Sequence, residues 1–294
     1  MTEIQTFVDY NRVSRTSGQP RDLSIVIRCG RDGDGLSRCL ASVDENAEVI
    51  ISAAGDAPFA PDLNRSGLSV AYHQYGNWSV SAQRGIDQAT YDKVIIMDAD
   101  SRFGPGAVAR IDEALTDGHL LVQSRVIFRN DGGRLSRIVA NARNFENHHQ
   151  PKAYSPGLGL RIRPLVERIG INNGDLYNVF VAYGDDGDLD QRRRAAGIDV
   201  YVASDAYVYH RPLSVEHDLR AARQFGRGEY QSQRAKPSPK TLTDVVREEF
   251  VLPEARRYYT DLIRQYGLET TLFMLLCRSA YVAGFYRESR KNSN

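Results

Sequence analysis

This 294-residue chain is expected to adopt an α/β fold, a mostly parallel sheet flanked by helices with a helical C-terminal extension. Three observations predict it. Short β-branched apolar runs alternate with stretches of helical periodicity over residues 23–115. The run KVIIM is apolar from its second residue on, as a strand buried on both faces should be. Beyond Pro212 the strand signals stop and helical ones take over, with one proline-rich break at AKPSPK.

The elements follow in order. LSIVIR, residues 23–28, reads as a buried strand, and the glycines and aspartates of CGRDGDG read as the loop after it. Leu36, Leu40 and Val43 recur at helical spacing, which predicts a helix over 36–45. Strands are expected at 48–52, 68–73 and 93–97, and helices at 79–89 and 105–115. In such a sheet, ligands bind beyond the carboxyl ends of the strands. The loops at 29–35, 53–57 and 98–103 should therefore meet at one crevice. The second half is less regular. It contains a strand at 120–128, a polar helix or loop at 140–149, and an extended run ending the stretch 156–162. An apolar stretch lies at 177–183, a helix at 189–196 stopped by Gly197, and a strand at 200–210. The expected organisation is an N-terminal arm (1–22), a catalytic domain (23–212) divided at 105/106 into donor and acceptor halves, and a C-terminal extension (213–294).

A net charge of +1 excludes a general attraction to nucleic acid. The charge is uneven, however. From Arg211 onward there are 15 Lys and Arg against 10 Asp and Glu. Cys29, Cys39 and Cys277 form no metal-ligand pattern and fit a reducing, cytoplasmic setting. The opening MTEIQTFVDYNR lacks the basic and apolar regions of a signal peptide. The longest apolar tract, 271–285, is short of a membrane span and carries Arg278 near its middle. Its apolar residues are nearly consecutive, which predicts burial in protein, either on the catalytic domain or in a homodimer. Peripheral contact with a membrane is the competing reading.

Asp98 and Asp100 follow the central apolar run directly. Two carboxylates one residue apart at a strand end can approach one hard divalent cation, Mn²⁺ or Mg²⁺. Such an ion neutralises a diphosphate. Downstream, Asp185, Asp186, Asp188 and Asp190 crowd the start of a helix. Taken alone, that crowding fits either a catalytic base or a cap on the helix dipole.

These segments resemble family-2-type glycosyltransferases with the GT-A fold, a Rossmann-like architecture for nucleotide-diphospho-sugar transfer. The resemblance spans residues 23–212 and rests on three stretches. They are LSIVIRCGRDGDGLSRCLASV, GNWSVSAQRGIDQATYDKVIIMDADSRFGPGAVARI, and AYGDDGDLDQRRRAAG, which is similar to the family's Gly-Glu-Asp segment. The resemblance implies a metal-dependent, inverting transfer of a hexose-like sugar from a UDP, GDP or dTDP donor to an acceptor hydroxyl that the sequence does not identify. Asp100 and Asp98 would serve the metal, with Asp98 also reaching the donor ribose, and His210 would complete the metal site or touch the diphosphate. Asp186 would be the catalytic base. Arg28, Gly30, Asp56, Gln83 and Arg84 would line the donor site. Arg223 and Arg227, one turn apart on the next helix, either face phosphates or face water.

The chain also departs from the family. Ala53 and Ala54 stand where an acidic pair usually binds the nucleotide base, Ala82 and Gln83 replace Arg-Asn, and Arg28 replaces a proline. These changes leave the base of the donor open. They also keep in view a scaffold that binds nucleotide sugars with impaired catalysis. A sugar-phosphate nucleotidyltransferase fits less well, because RCGRDGDG lacks the lysine and residue order of its loop.

Overall fold

The computed structural model describes residues 21–30, 33–44, 46–54, 68–73, 77–149, 151–171, 174–234 and 238–291. In chain order the first half comprises β1 (Ser24–Cys29), α1 (Gly33–Ala41), β2 (Glu48–Ala54), β3 (Leu68–His73), α2 (Trp78–Gln88), β4 (Lys93–Asp98), β5 (Ser101–Phe103) and α3 (Ala107–Thr116). There follow β6 (Leu121–Phe128), α4 (Arg134–His149), β7 (Leu158–Arg161), α5 (Ile162–Ile169), α6 (Asp185–Ala195) and β8 (Tyr201–His210). The C-terminal extension holds α7 (Val215–Arg234), α8 (Leu242–Phe250) and α9 (Pro253–Lys291).

Among the described residues, eight strands form one sheet in the order β3-β2-β1-β4-β7-β6-β8-β5. β3, β2, β1 and β4 are parallel neighbours, and β6 pairs with β8 in parallel. β7 runs against both β4 and β6, and β5 runs against the end of β8. The fold is thus the mixed α/β sheet flanked by helices that the sequence predicts, with a long C-terminal helix.

Side chains alternate across a strand, so each central strand feeds two cores. Ile25, Ile27 and Ile95 pack with Leu36, Cys39, Val108 and Ile111 under α1 and α3. Val26, Val94 and Ile96 pack with Ile86, Leu165 and Leu189 under α2, α5 and α6. Burial on both faces is why these strands read as unbroken apolar runs. The same alternation, two residues on from Val26 and Ile96, puts Arg28 and Asp98 on the α2 and α6 side at the strands' carboxyl ends.

Several boundaries differ from expectation. Residues 98–103 are not all loop, because Ser101–Phe103 pairs with β8. α4 begins at Arg134 rather than at 140, and it buries Val139, Ala142 and Phe145 against the C-terminal helices. α5 has no counterpart in the sequence reading. α6 starts at Asp185, four residues early. Its N-cap is Gly184 at φ 82°, a left-handed conformation that favours glycine. The apolar stretch 177–183 forms bends and turns, with Tyr177 buried and Phe180 exposed.

The extension packs closely. Gly226 on α7 lies against the Tyr281 carbonyl and Gly284 on α9 against the Arg223 carbonyl; an added Cβ would sit 1.9 and 2.1 Å from those oxygens. Within α9 the helix breaks at Gly267 (φ 82°). Beyond the break, Phe273, Met274 and Cys277 are buried against α4 and α7, whereas Leu268, Leu272 and Leu276 are exposed. The expectation of burial all round therefore holds on one side of the helix. Among the described residues, no helix is long and apolar enough to cross a membrane. Cys29, Cys39 and Cys277 are all buried.

Candidate functional site

Arg28 organises the cleft at the carboxyl ends of β1 and β4. It sits opposite Asp98 in the parallel register of the two strands. Its guanidinium meets Asp98 Oδ1 through Nε and Nη2, both at 2.8 Å. Nη1 donates to Asp185 Oδ2 at 2.5 Å, and Nη2 donates to the Ser155 hydroxyl. The guanidinium carbon lies 5.7 Å from the centre of the Trp78 ring, within cation–π range. One side chain, 6% exposed, thus joins β4, α6, the turn before β7 and the start of α2. Burial alone would lower its pKa; Asp98, Asp185 and Asp186 outweigh that and hold it firmly charged.

Ser155 links Arg28 to Asp186. Its hydroxyl donates to Asp186 Oδ2 at 2.9 Å, and its backbone N–H donates to the same oxygen at 3.2 Å. Asp186 is half-buried. Burial, then the neighbouring Asp185 carboxylate, push its carboxyl well above the usual range, and Arg28 and Ser155 only partly oppose them. Asp98 is also raised, chiefly by burial, against the pull of Arg28. Three carboxylates therefore surround one buried cation, and those of Asp186 and Asp98 are both raised above the usual range. Tyr177 lies beneath. Its buried hydroxyl has no hydrogen-bond partner among the described residues, and burial with the Asp186 and Asp185 charges pushes its pKa up.

Asp100 faces a different set of partners. Pairing of Ser101 with His210 at the β5–β8 junction brings the histidine beside it. His210 Nε2 is 3.4 Å from Asp100 Oδ1, and Arg211 Nε is 3.1 Å from Oδ2. The imidazole stacks on Phe128 with ring centres 4.6 Å apart, and its Nδ1 is 2.9 Å from the Arg211 carbonyl oxygen. A carbonyl can only accept, so Nδ1 carries a proton, and Nε2 is the nitrogen turned toward Asp100. That arrangement, a ring N–H on a backbone carbonyl with the other nitrogen beside a carboxylate, fits a metal ligand. Among the described residues, no three His, Cys, Asp or Glu side chains converge at metal-holding distance. Asp100 and His210 suit an ion of the kind that takes one or two protein ligands and completes its shell with phosphates and water.

No protein-family model and no curated protein matches the chain. Among solved structures, S. aureus TarS has a similar outline, with 16% identical residues and a TM-score of 0.47 over 90% of this chain and 54% of that one. The 1–349 portion of TarS in complex with UDP-GlcNAc gives 16% identity and a TM-score of 0.48, over 92% of this chain and 91% of that one. The chain thus spans about half the length of the longer TarS structure. Likeness at this level concerns the course of the backbone and assigns no role to any side chain here.

The other candidates from the sequence divide clearly. Gly30 closes β1 at the cleft. Asp56 lies outside the described residues. Gln83 is buried and spent on the scaffold: its Oε1 accepts the Leu176 and Tyr177 N–H groups, and its Nε2 donates to Asp87. A donor-binding role does not fit those contacts. Arg84 is exposed on α2 and faces Asp87 at 3.7 Å. Of the four clustered aspartates, Asp188 holds Ser232 and Arg192, and Asp190 holds the Ala153 N–H, Arg193 and Arg194. Only Asp185 and Asp186 turn toward Arg28 and Ser155. Gly184, rather than an aspartate, caps the helix, and it makes no side-chain cap bond. Arg227 pairs with Glu288 at 3.1 Å and Arg223 is exposed, so neither joins the cleft. Sequence reasoning missed Ser155, Trp78 and Tyr177. The lone tryptophan of the chain, opening a helix opposite an arginine strand end, was the one available signal.

Proposed function

We propose that the chain is a metal-dependent glycosyltransferase of GT-A architecture that moves a hexose-like sugar from a nucleotide-diphosphate donor to an acceptor hydroxyl with inversion. One observation carries this reading: Asp186, 88 residues downstream of Asp98, is held in the same cleft through Ser155 and Arg28. The raised Asp186 carboxyl suits a general base, which works best with a pKa near the operating pH. In the proposed step the acceptor oxygen forms a bond to the anomeric carbon and the carbon–oxygen bond to the diphosphate breaks. The electron pair leaves with the nucleoside diphosphate, and the acceptor proton passes to an Asp186 oxygen. Asp98, fixed by Arg28, would accept a hydrogen bond from the donor ribose. Asp100 and His210 would hold Mn²⁺ or Mg²⁺ against the donor phosphates, where the ion neutralises charge on the leaving group.

Incubating the full chain with UDP-, GDP- and dTDP-sugars tests the reading. Release of nucleoside diphosphate from at least one donor, dependent on Mn²⁺ or Mg²⁺, is the expected result. Failure to turn over or bind every donor, in protein that unfolds cooperatively, would refute it.

A further inference from the structure

A cavity of about 220 Å³ lies where the end of α4 meets α8 and both arms of α9, and it shares no residue with the Arg28 cleft or with the Asp100 and His210 site. Arg278 closes it on one side, held by Glu146 at 2.8 Å and by Glu249 at 3.2 Å. Arg143 backs Glu146 at 3.1 Å, and Lys240 neutralises Glu248 at 2.6 Å. Three side-chain groups of the wall keep no hydrogen bond or ion pair among the described residues: the Lys152 ammonium, the Tyr258 hydroxyl and the Glu254 carboxylate. Lys152 is partly buried, with Glu146 attracting its charge and Arg278 repelling it. The Tyr258 hydroxyl is buried, and its ring stands edge-on to His149 and Tyr259, with centres 5.3 and 5.5 Å apart.

We propose that this cavity binds one neutral saccharide unit, away from the reaction centre. The unpaired charges of its wall, Lys152 and Glu254, are one of each sign, so no excess charge selects an ion. An anion drawn to Lys152 meets the field of Glu146, and a cation drawn to the carboxylates meets those of Lys152 and Arg278. A sugar hydroxyl both donates and accepts, so a polyol serves Lys152, Tyr258 and Glu254 together and adds no charge. A buried hydroxyl left unpaired costs free energy, which a bound hydroxyl recovers. The rings of Tyr258 and Tyr259 supply aromatic surface, whose faces carry partial negative charge and attract the C–H groups of a sugar. Size limits the occupant. The cavity falls below the roughly 300–1,000 Å³ of sites that enclose drug-sized molecules, so it suits one sugar ring and not a whole nucleotide sugar. The assignment does not rest on the transferase reading. Joined to that reading, it makes the occupant a unit of the acceptor other than the one that reacts. Lys152 stands three residues before Ser155, so no more than about 11 Å of chain separates the cavity wall from the residue that holds Asp186.

Saturation-transfer NMR on the full chain tests it, with glucose, galactose, mannose and N-acetylglucosamine as neutral probes and acetate, spermidine and glycine as charged ones. At least one sugar should bind wild type, and no charged probe should displace it. The Lys152→Met/Tyr258→Phe variant keeps the aliphatic stem and the ring that pack, and removes the two unpartnered donors. It should weaken the sugar by at least about ten-fold, the scale of a hydrogen bond to a charged group and one to a hydroxyl. Glu254→Gln, at an exposed position, should weaken it as well and serves if the double variant does not fold. Silence of all four sugars would overturn the proposal. So would displacement by a charged probe, which would assign the cavity to an ion. Sugar binding unchanged in the variants would overturn it too, since the signal would then come from another site. Nucleotide binding is measured separately: its absence beside intact sugar binding removes the transferase reading and leaves the saccharide site standing.

Discussion

At Asp186 two effects compete, and their balance can be read in solution. Burial and the Asp185 carboxylate favour the protonated form, while Arg28 and Ser155 favour the ionised one; the first pair wins. An acid whose pKa is raised on folding destabilises the native state when it ionises. Its full stability is present below the ordinary carboxylate pKa and declines as pH rises through the raised value. Asp186→Asn cannot ionise, so the variant should gain melting temperature over wild type as pH rises from 4 toward 8 (about the working range of a carboxylate base). Its turnover should fall by a factor on the order of 10² or more, the usual scale for loss of general-base help. In wild type, kcat/KM should rise with pH through a value above the ordinary carboxylate range. A variant that loses turnover without the pH-dependent gain in melting temperature would mean that the Asp186 environment is misassigned. The aspartates also show what sequence leaves hidden. Asp186 and Asp190 look alike in GDDGDLDQ, and only the partners Ser155 and Arg193 separate the proposed base from a structural brace.

Secondary elements were legible where local pattern decides them. β3 was read to the residue, and β1, β4 and β8 to within one, because apolar or alternating runs of β-branched and aromatic residues are a local signal. β5 was not, because a three-residue strand has no period and exists only through its pairing with β8. The glycines of α7 and α9 were equally silent. Gly226 and Gly284 sit mid-helix, where glycine is unfavourable, and their reason is the approach of another backbone. Gly284→Ala would drive a methyl group into the Arg223 carbonyl and should cost about 1–3 kcal/mol, the usual range for overpacking. Gly187→Ala, on α6 with nothing within 4 Å, should instead be neutral or stabilise by up to about 1 kcal/mol. Urea unfolding of the two variants checks the contrast, and equal effects would mean that the α7–α9 crossing is looser than described here.

Over the whole molecule, one continuous sheet brings together groups that are distant in sequence. The parallel half delivers Arg28 and Asp98 at neighbouring strand ends, and the antiparallel return of β7 carries Ser155 to them. The junction of β5 and β8 then sets His210 beside Asp100. The Asp-x-Asp pair and Asp186 were legible as candidates, because their residue types and their places at a strand end and a helix start are local. Their connection through Ser155 was not, since it depends on where a distant turn lands. The account makes Asp100 the residue on which donor binding turns. Calorimetric titration of UDP, GDP and dTDP, with and without Mn²⁺, into wild type and Asp100→Ala measures this directly. At least one nucleotide should bind wild type in the presence of the metal, and the variant should lose that metal-dependent binding while keeping its melting temperature. Equal binding by both proteins, or tight wild-type binding indifferent to Mn²⁺, would contradict the account.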